Sequence, residues 1–333
     1  MSSLSLRSPH PDMPCWSGMT STVTAAEAAE ARAQPELSVV VVHYRVPDIL
    51  MEALRRLARA APHAEVVLVD TDADPAVFAR ARAVLPELVT VAAPNHSYAH
   101  AANLGLKHTR GRFLALMNPD LYLEPDTLPR LLAALRAHPS AGVVAPVART
   151  PRGRRQDHGP LYHPNYLRLA LRPGGSVRVA WVPGYLHVLR REALDAVGGM
   201  DASLRFYNED IDFCRRLRAA GFHARLVDAP VLHLGGSSTP AAGAFLVEGV
   251  RGGYQLSRRY LPPALRRAHR AGLLAWVGVA AAMAPGERRD AYRTVAAMAR
   301  GGGFDDPPFG ATLADVDPPA GTPPQRLEGS RRP

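Results

Sequence analysis

Cysteine, lysine and long apolar runs are all scarce in this chain of 333 residues. Cys15 and Cys214 stand far apart with no CxxC neighbour, which excludes a disulfide scaffold and a cysteine-built zinc site and suits a reducing cytoplasm. The longest apolar run, residues 271–284, is 14 residues long, whereas a spanning helix needs about 20. It lies between Arg266, Arg267 and Arg270 on one side and Arg288 and Arg289 on the other. The opening MSSLSLRSPHPDMP lacks the apolar core of a signal peptide, so the expected location is cytoplasmic, with a peripheral place at the inner face of the cell membrane as the variant.

Glycine is missing where two nucleotide-binding loops require it. None occurs between Gly18 and Gly105, a stretch that holds the first strand. A GxGxxG turn lets a backbone approach a pyrophosphate, so its absence argues against a dehydrogenase, and the P-loop goes with it. If a nucleotide binds, carboxylates and a metal must handle its phosphates. Of the 40 basic residues only Lys107 is lysine, and against 30 acidic ones they leave a formal charge of +10. Anionic partners fit that charge. The arginines are dispersed, however, and no RNP, KH or zinc-finger pattern interleaves them with aromatics, so nucleic acid is not an expected partner.

What is present reads as a folded α/β protein, at 47% hydrophobic and 21% charged. Residues 1–36 are rich in Ser, Pro and Ala and are expected as a disordered leader with one weak helix over 25–33. From Leu37 short apolar runs (LSVVVVHY, EVVLVD, LVTVAA, RFLALMN) alternate with amphipathic stretches, the third of them over residues 99–109. Near-continuous Val/Leu strands imply a mainly parallel, Rossmann-like sheet flanked by helices. A Pro-, Gly- and Arg-rich connection over residues 150–175 precedes two further strands (SVRVAWV, YLHVLRR), a helix through NEDIDFCRRLRAAG ended by Gly221, and HARLVD as the last strand. The expected organisation is a domain over 37–240, a C-terminal helical extension over 241–300 and a disordered tail over 301–333.

Carboxylates fall where parallel strands end, the place an open α/β sheet keeps its ligand. Asp70 ends the second strand, and Asp120 follows the fourth in an NPD turn that suits a hard divalent cation. Glu209, Asp210 and Asp212 cluster at a helix start, and His233 returns one strand later. Together they could supply a general base and a metal ligand, although a helix dipole alone also favours acids there.

LSVVVVHYRVPD, VVLVDTDAD, the N-x-x-x-A-x-A-x-N-x-G pattern from Asn95 to Gly105, GRFLALMNPDLYLEPDTL, WVPGYLHVLRREALDAVGGMD, FYNEDIDFCRRLRAAG and VLHLGGSS follow one another in an order that resembles the family 2 inverting glycosyltransferases, most of all their rhamnosyltransferase-like branch. The resemblance covers residues 37–240. It implies a GT-A fold, a nucleotide-sugar donor with dTDP- or UDP-sugars favoured, a glycan or lipid-linked acceptor, and Mg²⁺ or Mn²⁺ as cofactor. It further implies Asp210 as catalytic base with Glu209 beside it. Asp70, Asn103, Asn118 and Asp120 become donor-binding residues, Asp120 and His233 metal ligands, and Gly184 with Trp181 the acceptor side. Three departures lie on the donor side: His43-Tyr44-Arg45 after the first strand, Thr71 with Asp72 and Asp74 after the second, and His96-Ser97-Tyr98 after Asn95. They motivate a second reading, a non-catalytic sugar-nucleotide or glycan-binding protein on a GT-A scaffold. For the C-terminal helices two arrangements compete, a peripheral membrane contact and packing on the sheet, and the position of Trp276 separates them.

Overall fold

Alternation within the first strand sets up the architecture. All seven residues of β1 (Leu37–His43) are buried, with Val39 and Val41 in one apolar cluster and Val40 and Val42 in another. A strand buried on both faces must lie inside a sheet covered on both sides. The computed structural model describes residues 34–156, 171–235, 242–301 and 304. The expected leader and tail, and the weak helix over 25–33, fall almost wholly outside the described residues.

β1 pairs in parallel with β2 (Glu65–Asp70) and β4 (Phe113–Met117), and β2 with β3 (Val89–Ala92). β8 (Leu186–Arg190) lies antiparallel between β4 and β6 (Ala141–Pro146), followed by β9 (His223–Val227) parallel to β6 and β7 (Ser176–Val179) at the far edge. The order is β3-β2-β1-β4-β8-β6-β9-β7, a mixed α/β sheet in which β7 and β8 alone run against the rest. Because β8 is reversed, its first residues meet the edge where β4 ends. Two three-residue strands that periodicity does not reveal, β5 (Leu121–Leu123) and β10 (Val231–His233), form a separate antiparallel ribbon with His233 opposite Leu121.

Helices α1 (Pro47–Ala60), α2 (Pro75–Val84) and α4 (Thr127–Ala137) cover one face, and α3 (Tyr98–Leu106), α5 (Arg191–Val197) and α6 (Glu209–Ala219) cover the other. Their starts follow local chemistry. Pro47 and Pro75 open α1 and α2, Asp74 accepts from the Ala76 N–H, and Ser97 caps α3 through the His100 N–H. α3 ends at Leu106, short of residue 109, because the next three N–H groups turn back on the carbonyls of Leu104, Gly105 and Leu106. It also lies close on the sheet: a Cβ at Gly105 would sit 2.4 Å from Val40 Cγ1.

The C-terminal extension is three helices, α7 (Ala242–Tyr260), α8 (Pro263–Met283) and α9 (Gly286–Gly301). Leu273 and Val277 of α8 join Val247 and Val250 of α7 and Val295 of α9 in a third apolar cluster, apart from the two that line the sheet. Trp276 packs edge-on against Tyr292 and stays 39% exposed. Among the described residues no helix is long and apolar enough to cross a membrane.

Candidate active site

At the ends of β1 and β2 the chain closes on itself. His43 Nε2 accepts the Val46 N–H, so its proton sits on Nδ1, which donates to Asp70 Oδ1 at 2.9 Å. Asp70 Oδ2 accepts the Asp74 N–H at 2.8 Å, and His43 and Asp70 are 1% and 0% exposed. In this arrangement the carboxylate expected to bind the donor organises the β2–α2 turn. The more open acid is its neighbour Asp72, paired with Arg45 at 3.4 Å. Burial raises the Asp72 carboxyl above its usual range, partly offset by Arg45.

The β5–β10 ribbon brings two expected ligands together. The Asn118 N–H bonds to the Tyr185 carbonyl, the chain turns through Pro119, and buried Asp120 faces His233, Oδ1 to Nε2 3.2 Å. Gln156, from the long connection, accepts at Oε1 from His233 Nδ1 (2.6 Å) while its Nε2 donates to the His233 carbonyl at 3.4 Å, which fixes the amide orientation. With its proton on Nδ1, His233 turns a lone pair toward a carboxylate. A carboxylate oxygen and an imidazole nitrogen facing one point fit a divalent cation. Among the described residues no three His, Cys, Asp or Glu side chains gather as a metal group. Asp120 and His233 are the two groups that would hold a hard cation such as Mg²⁺ or Mn²⁺, with phosphate oxygens and water as the other ligands it would need.

The acid pair opens α6. The backbone enters through Tyr207 and Asn208, both left-handed at φ 68° and 72°, and the Asn208 side chain donates to the Gly249 carbonyl of α7 at 2.9 Å. Asp210 Oδ2 accepts the Gly184 N–H at 3.2 Å and Oδ1 the Ile211 N–H at 2.8 Å. Burial nevertheless pushes its carboxyl from 3.8 up to about 6, against those two bonds. Glu209 is pushed well up by burial and by the charge of Asp210, and its Oε2 has no hydrogen-bond partner. Half-buried Tyr98 stays a phenol beside them, held there by desolvation and by both acids, its hydroxyl 3.5 Å from the Gly184 carbonyl. Asp212, the third acid, is taken up by Arg216, Arg259 and the Tyr260 hydroxyl, and so ties α6 to α7.

The remaining expected residues divide. Gly184 touches the acid pair, and Trp181 is buried in the cluster beneath it. Asn103 turns its amide to Met200, donating to the carbonyl and accepting from the N–H, both at 2.8 Å. A Cβ at Gly199 would lie 2.2 Å from Asn103 Oδ1, so this glycine permits the loop to close on α3. Asn103 thus holds the connection that leads to α6. Sequence reasoning missed Gln156, which no pattern within its connection marks, and Tyr98, which stood out only as a departure.

Residues 38–198 match the family described as Glycosyl transferase family 2, and residues 165–284 match Glycosyl transferase family group 2. A succinoglycan biosynthesis protein, ExoM, of Rhizobium meliloti (strain 1021) is 30% identical over 202 residues, 56% of this chain and 62% of that protein. An N-acetylglucosaminyl-diphospho-decaprenol L-rhamnosyltransferase of Mycobacterium tuberculosis (strain CDC 1551 / Oshkosh) is 32% identical over 149 residues, 38% of this chain and 48% of its own length. The chain thus spans less than two thirds of these relatives. The mannosyltransferase PcManGT from Pyrobaculum calidifontis, solved with GDP-Man and Mn²⁺, superposes with a TM-score of 0.54 at 21% identity, over 81% of this chain and 82% of that one. That likeness concerns the fold, which is of the GT-A type. With two family matches that together run from residue 38 to residue 284, the chain belongs to glycosyl transferase family 2.

Proposed function

We propose that this chain is an inverting glycosyltransferase that moves a sugar from a nucleoside diphosphate to a hydroxyl of a glycan or lipid-linked acceptor. The observation that carries the proposal is the state of Asp210. An ordinary aspartate is a weak base, whereas one poised near 6 is still mostly ionised at neutral pH and holds a proton more firmly. Asp210 takes the acceptor O–H proton while that oxygen bonds to the anomeric carbon. On the opposite face the bond to the diphosphate oxygen breaks and its electron pair leaves with the diphosphate, so the configuration inverts. Glu209, itself raised by burial and by the charge of Asp210, stands beside the base as the acid that holds a proton more firmly, and the Gly184 N–H aims the Asp210 carboxylate. A divalent cation between Asp120 and His233 supplies, when bound, charge neutralisation on the diphosphate. Gln156 orients His233 for that role.

The names of the relatives favour polysaccharide or polyprenyl-linked acceptors and a deoxysugar or hexose donor, with dTDP- or UDP-sugars first to try and Mn²⁺ or Mg²⁺ as the ion. Thermal shifts against UDP-, dTDP- and GDP-sugars, with and without Mn²⁺, followed by transfer assays with the donor found, test this reading. The sealed state of Asp70 favours the second reading, a protein that binds without turnover. A donor that stabilises the protein while no acceptor panel yields product would support it.

A further inference from the structure

The outward half of α8 is apolar along most of its length. Every exposed residue from 268 to 283 is Ala, Gly, Val, Trp or Met, and Trp276, Val279 and Met283 are 39%, 60% and 80% exposed, with Leu265 at 55% one turn before. The stretch runs about 24 Å at 1.5 Å per residue. Leu265, Trp276, Val279 and Met283 recur at helical spacing on one stripe, about a quarter turn around the helix from the buried Leu273 and Val277. A stripe of this size facing water marks a contact surface.

The surrounding charge identifies the occupant. Residues 263–301 hold seven arginines against two acids, Glu287 and Asp290. Glu287 accepts the Gly243 N–H, and Asp290 lies 3.7 Å from Arg293. Arginines flank both ends of the stripe. Arg270 reaches the Arg300 carbonyl near its start, and Arg289 donates to the Ala284 carbonyl just past Met283. A second copy of the chain would bring two such cationic rims together. An anionic surface is attracted by the rim and accepts the apolar stripe. We propose that α8 lies flat on an anionic phospholipid surface, with Trp276, Val279 and Met283 in the acyl boundary and the arginines at the headgroups. The proposal does not depend on the chemistry at Asp210.

Sedimentation of the full chain with phosphatidylcholine vesicles, with and without phosphatidylglycerol, tests it. Binding should be about 10-fold or more stronger on the anionic vesicles and fall in high salt. Trp276 emission should shift to the blue on binding. Val279→Ser with Met283→Ser, both at exposed positions, should lose about 10-fold in binding with an unchanged circular dichroism spectrum. Arg267→Gln with Arg288→Gln should weaken binding chiefly at low salt. Equal binding to neutral and anionic vesicles, an unaffected double serine variant, or a dimer in solution that this variant splits and that ignores lipid would each overturn the proposal.

Discussion

Asp70 and Asp210 are both carboxylates held in the protein body next to expected ligand positions, and the chain supplies them differently. Asp70 takes the His43 Nδ1–H and the Asp74 N–H within 2.9 Å, and the Asp72 N–H at 3.4 Å. Asp210 has two backbone N–H groups and a second acid, Glu209, whose Oε2 has no partner. A carboxylate whose lone pairs are filled by its own chain fixes backbone. One left short of donors in a buried place keeps an appetite for a proton. The count of donors, more than the presence of an Asp at a sheet edge, separates structure from chemistry here.

The sharpest way to break that contrast is to neutralise each acid in turn. Asp210→Asn should lower turnover by ~10²-fold or more with donor binding kept, as for a lost general base. In the parent enzyme kcat/KM should fall as pH drops through about 6, because only the unprotonated carboxylate accepts the proton. An acid limb near 3.8, or near-normal turnover in the variant, would leave Asp210 as a helix-start acid. Next in size, Asp120→Ala should abolish the gain in donor affinity that Mn²⁺ brings, and Gln156→Ala should reduce it by ~10–100-fold through a misaligned His233. Titration calorimetry with and without EDTA reads both effects, and equal affinities in the two conditions would end the metal role.

Asp70→Asn should act on stability instead, lowering it by ~1–3 kcal/mol because one buried N–H donor loses its acceptor. Urea unfolding measures this, and an unchanged midpoint would remove Asp70 from its structural role. The smallest effect is a gain. Burial raises the Glu209 carboxyl, so the stability it contributes is present below its unfolded pKa of about 4.3 and lost as pH rises through the higher folded value. Glu209→Gln escapes that loss, so its Tm should exceed the parent's by a few degrees at about pH 8 and by less at about pH 4. Equal gains at both pH values would contradict the burial argument.

The strands and helices of the sheet were legible because their periods are strong: seven buried residues in β1 and amphipathic α1 leave little choice. Asp120, Glu209, Asp210 and His233 could be singled out from residue type and spacing, and the fold brings Asp120 to His233 and Glu209 to Asp210. The β5–β10 ribbon was not legible, since three-residue strands carry no period, and it is the ribbon that sets His233 opposite Leu121 and beside Asp120. Gln156 was out of reach because its role depends on an arginine-rich connection folding back, with the Gln156 N–H on the Ala148 carbonyl. His43 reads as a departure in sequence, yet in space it completes the shell of Asp70. Asn103 keeps its motif position and turns to Met200, which only the packing of α3 against the 198–200 loop reveals.

The bond from Asn208 to the Gly249 carbonyl, with Asp212 held by Arg259 and Tyr260 and Arg251 bonded to the Ser203 carbonyl, has a consequence for anyone building chimeras. A graft made at residue 240, where the recognisable motifs stop, would place the helix that carries Asp210 in one parent against a foreign α7 and ask five side chains to find new partners. A cut between Tyr260 and Pro263 keeps all five side chains with their partners and exchanges only α8 and α9, which then need to match α7 at Val247 and Val250.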